Sequence, residues 1–222
     1  VKKISESGVY VAIHDFYAFL PKSLGIPEEN VASNTPIRAI IKDVICDPLK
    51  EEKIILERVS VNFVKKLLEA EIPEVYEKIV NIENIARTPG YKTKVLVSSS
   101  VSDVNAVGTC IGPFGSRIKQ VLKELGGEKL DIIKYSENKE ELVANALKPA
   151  KIDNVEIRSN IARAVVSEKE KPSAVGKLGK NIALASKISG IKIEIVESKK
   201  NSIFSNENES FIDKIDKISS VK

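Results

Sequence analysis

The sequence predicts an α+β chain: a small strand-rich barrel followed by two copies of one α-β-β-α-α-β unit. Three observations carry this. The first 60 residues hold short β-branched runs and no helix of useful length. The apolar period changes from two to between three and four at "VSVNFVKKLLEAE". Two glycine turns, "GPFG" at Gly112 and "GKLG" at Gly176, then lie 64 positions apart inside the same order of elements.

The barrel is read first. "GVYVAI" alternates, with Val9, Val11 and Ile13 on one face and Tyr10 and Ala12 on the other. "YAFLP" follows after the break "HDF". "PIRAIIKDVIC" and "KIILERV" are further strands, separated by the turn-like "DPLKEEK". The first repeat then opens with a helix through Val64, Leu67 and Leu68 that Pro73 stops. Strands "KIVNIENIA" and "TKVLVSSS" are joined across Pro89-Gly90, where Pro fixes φ and Gly accepts positive φ. A short helix "AVGTCI", the turn, the helix "SRIKQVLKEL" and the strand "KLDIIKY" complete it. The second repeat runs through the helix "KEELVANAL", strands "KIDNVEIRS" and "IARAVVSE", and "KPSAVGKLGKNIALASKI", with Pro172 in a first helical turn. Gly190 ends that helix before the strand "IKIEIVE". The resulting division is 1–60 barrel, 61–136 first repeat, 137–198 second repeat and 199–222 polar tail.

Composition permits packed cores, with 42% hydrophobic residues, and a net charge of +4 permits a polyanionic partner without requiring one. Much of the lysine content follows a compositional bias that also favours Asn and Ile. Cys46 and Cys110 fit no metal or redox spacing and read as reduced thiols of a cytosolic protein. No apolar run approaches the ~18 residues of a membrane span. The chain has no methionine and opens at Val1, so it reads either as a piece of something longer or as a product of initiator removal.

A G-x-x-G turn between helices offers backbone N–H groups and a helix N-terminus to a phosphate. Glycines without Cβ let a nucleic-acid strand approach. With an adjacent strand, the turn forms a groove for about four single-stranded nucleotides, the KH mode. A lone G-x-x-G is more simply a capped corner; two copies in one element order are not. The candidate RNA contacts are Gly112, Pro113, Phe114, Gly115, Arg117 and Lys119 in the first unit. In the second they are Gly176, Lys177, Leu178, Gly179, Lys180 and Asn181. The second turn encloses a lysine and is followed by another. The first encloses Pro113-Phe114, whose ring can stack on a base or pack on its own helix.

The order of barrel and two turn-bearing units resembles the RNA-binding middle of the NusA family, bacterial transcription elongation and termination factors. "FVKKLLEAEIPEVYEKIVNIENIARTPGYKTKVLV" and "VGTCIGPFGSRIKQVLKELGGEKLDIIKYS" are similar to its joining helix and first KH signature. "NALKPAKI" and "AVGKLGKNIALASKISGIKIEI" resemble the second. The likeness covers roughly residues 8 to 197. It implies an OB-type barrel before two tandem type II KH domains, and nascent single-stranded RNA as partner. It also implies RNA polymerase as a partner, through parts absent from these residues. A cytoplasmic monomer, in a bacterium or a bacterial-type organelle, is expected. On the barrel, Tyr10 and Phe19 match positions that are aromatic in such barrels and would stack bases. Arg58 matches a basic residue near the end of the last strand. Phe16 and Phe19 as plain core residues is the competing reading, and His14 reads as a surface turn residue.

Three departures stand out. Asn105-Ala106 replaces the family's usual Asp-Pro, the first turn lacks a basic residue between its glycines, and the barrel lacks its opening strand. No Walker loop, metal cluster or histidine-activated nucleophile is present, so neither an enzyme nor a cofactor or metal is expected. The alternative is an accessory KH/OB region of an RNA-processing enzyme or a ribosome-associated protein.

Overall fold

The computed structural model describes residues 1–45 and 53–198. Cys46, most of the turn "DPLKEEK" and the polar tail lie outside the described residues.

The N-terminal strands are β1 Lys3–Ser5, β2 Gly8–Ile13, β3 Phe16–Pro21, β4 Ile40–Ile45 and β5 Lys53–Glu57. They form one sheet in the order β1-β2-β3-β5-β4, with β3 and β5 parallel and the other pairs antiparallel. The expectation of a missing opening strand is therefore corrected: β1 pairs with β2 through Ile4 and Val9. At three residues it is too short to show a period. Alternation in β2 works as read. Val11 is buried with Ala18, Leu20 and Leu56, and Val9 and Ile13 pack against them. His14 is exposed at φ 50° in the hairpin turn between β2 and β3.

Helix α1, Val61–Glu71, starts where the Ser60 hydroxyl accepts the N–H of Phe63, and it buries Phe63, Val64, Leu67 and Leu68. Pro73 does not simply stop the run; it opens a second short helix, α2 Pro73–Tyr76, at the position where its missing N–H costs nothing. Strands β6 Val80–Thr88 and β7 Lys92–Ser99 follow, then α3 Ala106–Ile111, α4 Ser116–Glu124 and β8 Lys129–Lys134. Asn105 caps α3 by accepting the N–H of Gly108, a role an amide fills as well as an acid. The second unit repeats the plan with α5 Lys139–Ala146, β9 Asn154–Arg158, β10 Ile161–Val166, α6 Lys171–Val175, α7 Lys180–Ser189 and β11 Lys192–Glu197. Both sheets have the same topology, an antiparallel first pair and a parallel second pair.

The first sheet is covered on both faces. Val95 and Val97 of β7 point into a core with Phe63, Leu67, Val121 and Leu125 of their own unit. Leu96, between them, joins Ala86 and Ile133 in a second core with Leu142, Val143, Leu184 and Ile188 of the other unit. Hydrogen bonds mark the same junction: Asn84 Nδ2 donates to the Ile188 carbonyl at 3.0 Å and Lys94 Nζ to the Lys148 carbonyl at 2.7 Å. Burial pushes the Lys94 ammonium below its ordinary pKa, against the opposing pull of Asp131.

The N-terminal sheet is tied to the first unit by charge. Glu128 is buried and accepts two bonds from Arg87, one from the Gly90 N–H and one from the Thr93 hydroxyl. Arg87 Nη1 donates at 2.8 Å to the carbonyls of Arg58 and Ser60 in the link between the N-terminal sheet and α1. A buried, fully bonded pair becomes costly when one member is removed, because the other is left charged and unpaired. Glu128→Ala is expected to lower stability by about 3–5 kcal/mol, read from urea denaturation. A loss below about 1 kcal/mol would show that the pair is not what holds this link.

Candidate nucleic-acid interface

The two turns adopt one backbone conformation. Gly112 and Gly176 sit at φ/ψ of 73°/170° and 74°/171°; Phe114 and Leu178 at 52°/23° and 53°/31°; Gly115 and Gly179 at 73°/21° and 72°/9°. The first glycine's conformation is essentially closed to other residues. The central Phe114 and Leu178 are left-handed despite their Cβ, at a cost of about 1–2 kcal/mol each. Both side chains are thrown outward: Phe114 is 98% exposed and Leu178 86%. Packing of Phe114 on its own helix is therefore excluded by its position.

Each turn opens a helix, α4 or α7, and each preceding helix lies against the edge strand of its sheet, α3 on β8 and α6 on β11. Turn and helix start thus stand beside that edge strand, where in β11 Ile195 packs on the core and Val196 is exposed. Pro113 has no N–H to offer into its groove, whereas Lys177 at the matching place has both an N–H and an exposed ammonium. Lys119 is exposed on α4. Lys180 is half-buried, its Nζ 4.4 Å from the centroid of the Tyr91 ring.

Two candidate contacts are corrected within these units. Asn181 is buried at 3%, and its Nδ2 donates to the carbonyls of Leu147, Ser173 and Ala174. It clamps α6 to α7 and does not face solvent. Arg117, five residues after the first glycine as Asn181 is in its own copy, does the same work. Its Nη1 donates to the Thr109 carbonyl at 3.0 Å and pairs with Glu74 at 2.8 Å. Its charge is thus already matched. The Glu74 carboxyl is held below its ordinary range, first by its own backbone N–H and then by Arg117. Behind this turn the Cys110 thiol is pushed up to about 11, chiefly by burial and then by the Glu74 charge, so it stays protonated and unreactive.

Arg58 is the third correction. It is 1% exposed and belongs to the junction, not to an RNA face. Its Nη2 meets Glu29 at 2.6 Å and donates to the Glu124 carbonyl, while Nη1 donates to the Arg38 carbonyl. Its guanidinium stacks on the Phe63 ring at 5.0 Å. Tyr10 and Phe19 pair across β2 and β3 with ring centroids 4.8 Å apart, Tyr10 being 38% exposed. Phe16 is 60% exposed and so is not core. Lys53, missed by sequence reasoning, stands over Phe19 at 5.2 Å. Tyr91 was missed as well. Neither carries a local signal, because each acquires its partner only through strand pairing or unit packing. Among the described residues no group of His, Cys, Asp and Glu could hold a metal ion, and no helix is long and apolar enough to cross a membrane.

Two α-β-β-α-α-β units, each carrying an outward Gly-x-x-Gly turn at the start of a helix, define a tandem KH protein. Residues 58–135 match the model of the NusA-like first KH domain and residues 139–203 that of the NusA-like second KH domain, together more than half of the chain. The chain is 36% identical to the transcription termination/antitermination protein NusA of Halalkalibacterium halodurans, over 84% of this chain and 49% of the relative. With the NusA of Borreliella burgdorferi the identity is 36% over 97% and 46%, and with that of Bacillus subtilis 34% over 88% and 53%. The chain belongs to the NusA family, and it spans about half the length of the relatives it matches.

The turn geometry ranks the glycines. A Cβ on Gly176 would lie 2.6 Å from Asn181 Cβ and 2.9 Å from its backbone nitrogen, whereas one on Gly179 meets only Ile182 at 4.0 Å. Gly179→Ala is expected to cost about 1–2 kcal/mol for left-handed backbone, and Gly176→Ala distinctly more. Thermal denaturation of the two variants checks the order, and equal losses would contradict it.

Proposed function

We propose that this chain is a non-catalytic, single-stranded RNA-binding module of a transcription termination and antitermination factor. In this reading nascent RNA runs over the N-terminal sheet, taken as an OB-type barrel, and over both KH grooves. The observation that carries it is the repeated turn: one strained backbone built twice, each time with an exposed apolar tip at a helix start. Strain of that kind persists where surrounding structure over-determines it, and it concentrates at ligand clamps. That the NusA relatives are transcription termination/antitermination proteins supports the transcriptional part of this reading.

The division of labour follows from the two sequences. The second turn, with Lys177 and Lys180, supplies charge to phosphates. The first, with Pro113 and Phe114, supplies shape and a ring for stacking, as Tyr10 and Phe19 do on the barrel. Three weak sites on one track gain affinity through effective concentration, provided their spacing is fixed.

Binding of unstructured RNA is expected to weaken with salt at a log–log slope of about −0.7 per phosphate contact, and duplex RNA to compete poorly. Gly176→Asp with Gly179→Asp is expected to reduce affinity more than the same pair of changes at Gly112 and Gly115. Fluorescence anisotropy with a labelled oligonucleotide measures all three. Salt-independent binding or equal competition by duplex would refute the groove mechanism, and the opposite order of the double variants would refute the ranking.

A further inference from the structure

We infer that Tyr91 of the first KH unit is a positioning residue for the phosphate clamp of the second, holding the Lys180 ammonium at the mouth of the GKLG turn. The inference rests on the RNA-binding reading above and deepens it.

Lys180 is the first residue of α7, directly after the left-handed Gly179. A cation there opposes the positive end of the helix dipole, so it is disfavoured by local energetics. The first unit has Ser116 at the matching position. A residue that breaks a local rule directly beside the candidate turn needs a compensating contact, and Tyr91 supplies it. The ammonium sits 4.4 Å from the ring centroid, well inside the range of cation–π attraction. That contact leaves the ammonium N–H groups directed away from the ring available to an anion. It also restricts a long side chain whose rotamer freedom would otherwise be lost on binding.

The backbone that carries the ring is held by the first unit alone. The Tyr91 N–H donates to the Thr88 carbonyl at 3.0 Å, and its carbonyl accepts the Lys129 N–H at 3.1 Å. Next to it, the Gly90 N–H donates to the buried Glu128 carboxylate. The bonds from Asn84 to Ile188 and from Lys94 to Lys148 hold the second unit in register with this hairpin. The clamp of the second unit is thus completed by a side chain of the first, a dependence that neither turn sequence reveals.

The test is a double-mutant cycle between Tyr91 and Lys180 in the whole chain, read as affinity for a labelled single-stranded oligonucleotide with thermal denaturation as the folding control. Tyr91→Ala is expected to weaken binding about two- to five-fold, the range of an exposed cation–π contact. Tyr91→Phe should bind like the parent. Tyr91→Leu, which keeps apolar volume without the π face, should bind like Tyr91→Ala. In a Lys180→Ala background, Tyr91→Ala should have no further effect. Unchanged or tighter binding by Tyr91→Ala would overturn the inference, the latter by showing that ring and phosphate compete for the lysine. An equal loss in both backgrounds would overturn it too, since the ring would then act on RNA by itself. Absence of RNA binding by the parent, or binding indifferent to Gly176→Asp with Gly179→Asp, would instead sink the underlying RNA-binding reading.

Discussion

The carboxylate of Glu128 is the point on which the arrangement of this molecule turns. It lies in the short connection from α4 to β8, and it is buried with all its partners beside it. Through Arg87 it reaches the carbonyls that lead from the N-terminal sheet into α1, and through Gly90 it pins the β6–β7 hairpin. Arg58 adds a second bridge from Glu29 to Glu124, and Phe63 lies within 6 Å of both guanidiniums. Buried ion pairs contribute little net stability compared with apolar packing, but they are intolerant of misalignment. Their effect here is to specify geometry, namely how the sheet of the first 57 residues sits on the first KH unit.

Much of this was legible in the sequence for a simple reason: the same unit occurs twice, so each copy tests the reading of the other. Gly112 and Gly176 announced the turns, Pro172 and Gly190 the helix ends, and the alternation from Val9 to Ile13 the inner face of β2. What misled was charge and polarity at junctions. Arg58 and Asn181 looked like RNA contacts because both are polar and sit beside the right motifs. Whether such a side chain faces solvent depends on what packs over it, and that is decided by residues 29 to 66 positions away, Glu29, Glu124 and Leu147 among them. Phe114 was ambiguous for the opposite reason. Only the left-handed backbone at that position shows that its ring has nothing of its own to pack on.

The two turns show how one backbone can be given different chemistry. At the position five residues after the first glycine, Asn181 and Arg117 both reach back to carbonyls of the preceding helix. The clamp is common; its cost differs. Asn181 is neutral and fits within the core, whereas Arg117 brings a charge that Glu74 must match at the surface. The first unit thereby uses its nearest cation internally and is left with Lys119, while the second keeps Lys177 and Lys180 at its groove. The contrast seen in "GPFG" and "GKLG" extends beyond the glycines themselves.

Strand β7 belongs to two cores at once, with Val95 and Val97 in one and Leu96 in the other. Separating the KH units would strip Leu96, Ala86 and Ile133 of their cover and break the bond from Lys94 to the Lys148 carbonyl. A core shared in this way favours unfolding of the two units together, not as two beads on a string. A circular permutation or domain insertion at the Ser136–Asn138 link would have to preserve a common hydrophobic layer to be tolerated. Neither copy can therefore be removed without uncovering apolar surface on the other.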